Sequence, residues 1–466
     1  MRGHITKGLV IAGTHSGVGK TTLTLGLMAA LRGRGLTVAP FKVGPDFIDP
    51  GHHARAAGID CRNLDGWMLS RAYNRKTFRD HSAGCDVAVV EGVMGLYDGF
   101  SGSSEEGSTA QMAKWLDLPV LLVVDAASMA RSAAALVQGF QRFDPQVEFA
   151  GVAFNRLGSE GHRTFLQEAM AAYVDLPLLG GLIRDDRLCI PERHLGLTTV
   201  EDGPLTADQK NLLAASLEAG LDLDGLLARL PEMPAPQEAA PPARRKNSGP
   251  VRMGFARDNA FCFYYPDNLE LLAAAGVELV PFSPLNEARL PGDLDGIYFG
   301  GGYPELYAGQ LAGNREMRDM IRHCSQLGMP IYGECGGFMY LCRELEDTDG
   351  TVHPMCGCFP FRSRMHAGLR TLGYREVRLT ENTLLGKRGQ VLRGHEFHYS
   401  GLGEVSAAGP VDTVYAVRAR AGGQSSKEGY LIHRTLGSYV HVHLGSRPES
   451  AQAMADACRQ YRQKKE

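Results

Sequence analysis

Six short runs of consecutive apolar residues punctuate the first part of the chain: GLVIAGT (8–14), TVAPFKVG (37–44), VAVVEG (87–92), PVLLVVDA (119–126), EFAGVAFN (148–155) and LPLLGGLI (176–183). They do not alternate between apolar and polar, so they predict strands of a parallel sheet covered on both faces. Between them lie segments such as KTTLTLGLMAALRGRG, apolar at helical spacing and closed by Gly35. Strand and helix taking turns in this way predict an α/β layered domain.

The pattern breaks at PEMPAPQEAAPPARRKNSGP, where Pro, Ala and charge leave nothing to fill a core. This stretch reads as a linker, dividing the chain into residues 1–230, a connection at 231–250, and residues 251–466. The second part repeats the style with MGFARD, VELVPFS, DGIYFGGG and MPIYGECGG as strand-to-loop units, then a β-rich tail ending at GSYVHVHLGS. The halves carry unrelated motifs, so there is no internal repeat.

Composition narrows the function. The chain has 466 residues, 49 Lys+Arg and 52 Asp+Glu, a formal charge of −3, which offers no electrostatic footprint for nucleic acid. No apolar run approaches the ~20 residues that span a bilayer. The beginning, MRGHITKGLVIAG, lacks the features of a secretory signal. A cytoplasmic protein without a membrane partner is expected. The 10 cysteines are too sparse for a disulfide scaffold, and the pair Cys356 and Cys358 has no second pair at zinc-site spacing.

GTHSGVGKTT follows the first predicted strand and opens the first helix, the context in which backbone N–H groups and a helix N-terminus cradle phosphates. Lys20 would reach the β- and γ-phosphates, and the Thr21 hydroxyl would serve Mg²⁺. Five residues separate Gly13 from Gly19, one more than the strict motif allows. PDFIDPGHH and EGVMGLYDG sit just past two further strands, at the sheet edge where open α/β folds bind ligands. Asp46, Asp49, Glu91 and Asp98 are therefore expected to converge near the γ-phosphate, with capping and turn roles open for Asp49 and Asp98. His52 and His53 are either substrate contacts or loop residues.

GECGG places Cys335 between an apolar run and a helical one, the sharp turn that exposes a nucleophile. A helix N-terminus is expected to lower the thiol pKa. FGGGYPE offers the backbone N–H groups of Gly301 and Gly302 for an oxyanion hole or substrate contact. GSYVHVHLGS supplies His441 and His443 as candidate general bases, distant in sequence.

Together these motifs resemble a known family. GTHSGVGKTT, KVGPDFIDPGHH, EGVMGLYDG and FNRLGSEGH resemble the ATP-binding domain of cobyrinate a,c-diamide synthases, whose wider P-loop spacing is shared with dethiobiotin synthetase. FYYPDNLELL, GGGYPELYA, PIYGECGGFMYL, RGHEFHYS and GSYVHVH resemble its class I glutamine amidotransferase domain. The resemblance implies two α/β domains, a dethiobiotin synthetase-like parallel sheet and an amidotransferase-like one. It implies that Gly17, Gly19, Lys20, Thr21 and Thr22 bind ATP, and that Thr21, Asp46 and Glu91 serve Mg²⁺. Asp49 and His52, with Gly301 and Gly302, would contact substrates, and Cys335, His441 and Asp98 would be catalytic. The implied partners are a tetrapyrrole diacid, glutamine and ATP, the tetrapyrrole being cobyrinic acid, hydrogenobyrinic acid, nickel-sirohydrochlorin or sirohaem. Many amidotransferases carry a glutamate two residues after the histidine; here that position is His443, which implies a Cys–His dyad and leaves His441 without an identified orienting group. The rival class, a P-loop switch or partition ATPase, has no use for the second half.

Overall fold

The computed structural model describes residues 6–188, 203, 205–233, 250–403 and 411–465, with the backbone of 192–193 and 196–197. The chain forms two compact units, Met1–Ala240 and Pro241–Glu466.

The first unit is built on strands β1 (Thr6–Gly13), β2 (Val38–Val43), β3 (Arg62–Leu64), β4 (Val87–Gly95), β5 (Val120–Asp125), β6 (Phe149–Leu157) and β7 (Leu178–Ile183). They pair in parallel in the order β3-β2-β4-β1-β5-β6-β7. The unbroken apolar runs follow from this position. Leu9 and Ile11 of β1 pack into one buried cluster, while Val10 and Ala12 pack into another. Successive side chains point to opposite faces, and both faces are covered. The six expected strands are present, but β3 was not legible: it is three residues long, and two are Arg62 and Asn63. Asn63 donates to the carbonyls of Gly44 and Asp46 at 2.9 and 2.8 Å, fixing the turn after β2.

The expected linker begins later than its composition suggests. Glu232 and Met233 pair antiparallel with Lys7 and Thr6 of β1, so two residues of 231–250 belong to the sheet. Met233 also packs against the second apolar cluster, which gives it a reason to stay. Residues 234–249 lie outside the described residues.

The second unit has a parallel core of Val277–Phe282, Val251–Ala256, Gly296–Phe299, Ile331–Glu334 and Thr435–Ser438. An antiparallel ribbon extends it through Ser426–Ile432, Asp412–Ala419, Thr371–Leu379 and Val391–His398 to His441–Val442. The segment 435–442 therefore takes part in the sheet twice, first beside Ile331–Glu334 and then at its far edge beside Gly394 and His395. The helical run expected after Cys335 is short: only Gly336–Leu341 is helical, and Cys342–Glu346 is a strand of a separate four-stranded sheet. A helix, Glu449–Lys465, follows the β-rich tail. Among the described residues no helix is long and apolar enough to cross a membrane, and the nine described cysteines are all free.

Candidate functional site: a phosphate loop and a cysteine elbow

In the first unit, helix α1 (Lys20–Gly33) starts directly after the glycine loop. Gly19 has φ +97°, and a Cβ there would lie 2.1 Å from the Asn155 amide nitrogen. Both the backbone and the space demand glycine. Asn155 at the end of β6 donates to the Val18 carbonyl at 2.8 Å, and Arg156 donates to the Gly17 carbonyl at 2.9 Å, so β6 holds the loop. A cavity of about 450 Å³ lined by Gly19, Thr22, Asp125, Asn155, Arg156 and Leu182 opens beside it.

The Lys20 ammonium donates to the Met94 carbonyl at 2.6 Å and to that of His15 at 3.3 Å. Burial, and then the neighbouring Lys42 charge, lower its pKa to about 8. The Thr21 hydroxyl donates to Glu91 at 2.8 Å. Glu91 is fully buried and shared: Lys42 reaches one oxygen at 2.7 Å and His53 the other at 2.6 Å. Burial alone would raise the Glu91 carboxyl, but Lys42 and His53 outweigh it and hold it well below the usual range. Lys42 also pairs with Asp49 at 2.5 Å.

The expected carboxylates gather around two lysines: Lys42 feels the charges of Asp49, Glu91 and Asp46, and Lys20 those of Glu91, Asp49 and Asp98. Thr21, Glu91, Lys42 and Asp49 are linked. Asp46 adjoins this group through Asp49 and also caps the start of the helix Ile48–Ala57, accepting the amides of Ile48 at 2.8 Å and Asp49 at 3.3 Å. Burial and then the Asp49 charge raise its pKa to about 7. Asp98 accepts the Gly95 amide at 2.9 Å, a turn role, while its charge is felt at Lys20. His52 is buried in the same helix, and His53, undecided from sequence, is a Glu91 partner. Lys42 was missed. The available signal was a lysine inside an otherwise apolar strand run, since a buried charge needs partners.

In the second unit, Cys335 joins the strand Ile331–Glu334 to the helix Gly336–Leu341 with φ 48° and ψ −105°. A non-glycine residue held there is strained, as at nucleophile elbows. Its amide donates to the Ser438 carbonyl at 2.7 Å, which ties the elbow to the histidine-bearing segment. A Cβ on Gly301 would meet the His441 ring at 2.3 Å, and one on Gly336 would meet the Gly302 amide nitrogen at 3.0 Å. The Gly301–Gly302 backbone thus runs between the His441 imidazole and the residue after Cys335. Gly301's amide donates to Phe263 at 3.2 Å, so of the two expected donor positions this one is engaged within the fold.

The electrostatics differ from expectation. Burial, then the Glu305 charge, push the Cys335 thiol up, not down. A short helix N-terminus does not offset the loss of water. Burial, and then His398, lower the His441 pKa to about 3, so its ring is neutral. His443 does not take the missing carboxylate's place: its Nδ1 accepts the Gly445 amide at 3.1 Å, and its ring packs 4.5 Å from Tyr265. Two buried carboxyls that sequence reasoning passed over hold the segment. Glu428 accepts the Ser438 hydroxyl at 2.6 Å and the Tyr439 amide at 2.8 Å, and Glu334 accepts the Val442 amide at 3.1 Å.

Comparison with known proteins agrees with this two-site arrangement. Residues 9–197 match the CobQ/CobB/MinD/ParA nucleotide binding domain, and residues 252–449 match the CobB/CobQ-like glutamine amidotransferase domain. A cobyrinate a,c-diamide synthase of Syntrophotalea carbinolica is 49% identical, over 97% of this chain and 98% of that one. Those of Salmonella typhimurium and Leptospira interrogans are 44% and 42% identical, each over 97% of this chain and 98% of its own. Matched over nearly its whole length by relatives 42–49% identical to it, the chain belongs to the cobyrinate a,c-diamide synthase family.

Proposed function

We propose that this amidating ligase converts the a and c side-chain carboxylates of cobyrinic acid to primary amides, using ATP and glutamine. The observation that carries the reading is one chain holding both a phosphate-loop lysine and a strained cysteine whose amide is bonded to the segment that bears a neutral histidine. A carboxylate is a poor electrophile, so it must be activated. ATP gives up its γ-phosphoryl group to a carboxylate oxygen, forming an acyl phosphate and ADP. The Cys335 sulfur attacks the glutamine side-chain carbonyl, its proton passing to His441 and then to the departing nitrogen. Ammonia leaves, and water cleaves the thioester to glutamate. Ammonia then displaces phosphate from the acyl phosphate.

The loop amides and Lys20 hold the phosphates, and the lysine's lowered pKa is reversed by the phosphate charge. The cavity beside Asn155 and Arg156 suits the nucleotide base. The donors around Glu91 are hydroxyl and carboxylate oxygens, the set Mg²⁺ prefers, and the carboxylates there outnumber what Lys42 alone can neutralise. Thr21, Glu91 and Asp46 would hold the ion, which would offset charge on the transferring phosphoryl group. Asp49 and His52 would face the substrate acid, and Asp98 would tune Lys20. A cytoplasmic setting accords with the free thiols.

The test is a panel of free tetrapyrroles (cobyrinic acid, hydrogenobyrinic acid, nickel-sirohydrochlorin and sirohaem) with ATP and glutamine, read by product mass. Two amidations of cobyrinic acid are expected; selective amidation of another macrocycle reassigns the substrate, and none at all overturns the reading. Cys335→Ser should lose glutamine-driven amidation by ~10⁴-fold or more yet keep it with added ammonium salts. Lys20→Ala should lose both.

A further inference from the structure

His441 is deep in the second unit, and a neutral imidazole can act as base only if its proton sits on the nitrogen facing away from the thiol. In many amidotransferases a carboxylate two residues on would fix that; here His443 occupies the place and turns to Gly445. We propose that Glu334, the residue immediately before the nucleophile, is the positioning carboxyl for His441, supplied from the strand instead of the histidine loop. The proposal rests on the amidotransferase reading above.

Three observations bear on it. Glu334 Oε2 lies 4.0 Å from His441 Nδ1, both groups almost fully buried. Glu334 Oε1 accepts the amide of Val442, the residue next to the histidine, at 3.1 Å, and Oε2 accepts the Tyr298 hydroxyl at 2.9 Å. The carboxyl is therefore held from two sides with one oxygen toward the ring. His395 stacks on the His441 ring at 5.0 Å and 17°, itself bonded to the Tyr265 hydroxyl at 3.0 Å. A gap of 4.0 Å is longer than a hydrogen bond, and such contacts tighten when a site engages its substrate. Because strand and elbow are continuous, one backbone segment sets the place of both the thiol and the group that aims its base. Glu428 anchors Ser438 and Tyr439 instead, so the two carboxyls divide the task along 438–442.

Glu334→Gln separates aiming from packing. With Oε1 kept on the Val442 amide, the new NH₂ faces His441 Nδ1 and favours the tautomer protonated at Nε2, which cannot accept the thiol proton. Glutaminase kcat should fall on the order of 10³-fold with KM for glutamine little changed, while ammonia-driven amidation persists. Nitrogen-15 NMR of histidine-labelled protein, with the His441 signal identified from its loss in His441→Asn, should place the proton on Nδ1 in the wild type and on Nε2 in the variant. Nε2 protonation in the unsubstituted protein overturns the proposal however the variant folds, as does an unchanged kcat in a folded variant. If the wild type itself makes no amide from glutamine, the functional reading has failed, a different outcome from Glu334→Gln behaving as wild type.

Discussion

The two sites solve burial in opposite ways. Around the phosphate loop, a set of buried charges is kept and matched, although Asp46 next to it is raised toward neutrality: Lys42 is shared by Asp49 and Glu91, and Glu91 also takes His53 and Thr21. Around Cys335 the buried groups are driven toward neutrality: the thiol is pushed up, His441 down to about 3, and both Glu334 and Glu428 up to about 7. No cation stands among these four to reverse the cost of desolvation. The contrast matches the chemistry each site would do. Fixed charges suit an anionic phosphoryl group, whereas thiol attack on an amide needs a proton to move between neutral partners.

The strongest way to break the contrast is to remove a charge from the matched set. Lys42→Met leaves Asp49 and Glu91 buried without their cation and should destabilise the first unit by about 3–5 kcal/mol, read as a fall in its urea midpoint. Adding Glu91→Gln should recover part of that loss; full additivity would show that the lysine is not a shared partner.

Next in size is a steric probe of the neutral site. Gly301→Ala puts a methyl group where the His441 ring lies and should lower glutaminase kcat about 10²-fold, ammonia-driven amidation being spared. An unaltered kcat would mean that the ring is free to move aside.

A third test uses pH. Glu428 is raised from 4.5 to about 7, so the folded state binds a proton the unfolded chain has released. Its contribution to stability is complete below the unfolded value and is lost as the pH climbs through about 7. Melting curves from pH 4.5 to 8 should fall with rising pH in the wild type and fall less steeply in Glu428→Gln, a difference of roughly 2–3 kcal/mol across the window. Parallel curves would contradict the neutral character of this site.

The smallest effect is expected at Asp98. Asn keeps an acceptor for the Gly95 amide, so Asp98→Asn should change stability by less than about 1 kcal/mol. A reduced synthase rate with intact glutaminase would assign its charge to the first site's chemistry. An unaffected rate would leave it a turn residue.

Much of this was legible along the chain because its physics is local. Consecutive apolar residues must be covered on both faces, which gave the parallel strands. GTHSGVGKTT and GECGG encode turns that only glycine permits at Gly19 and a strained cysteine at 335, and such turns need no distant partner to be recognised. Short or polar elements escaped: β3 is fixed by Asn63 gripping another turn, and Glu232–Met233 joins the sheet through an apolar contact that linker composition hides. What only the tertiary structure decided is how deeply each group lies and who stands beside it. Lys42 beside Glu91, and Glu334 near His441, are partners 49 and 107 residues apart, joined by strand order and not by spacing. Burial likewise reversed the expected thiolate at Cys335, because desolvation depends on everything packed around a group, which no short motif specifies.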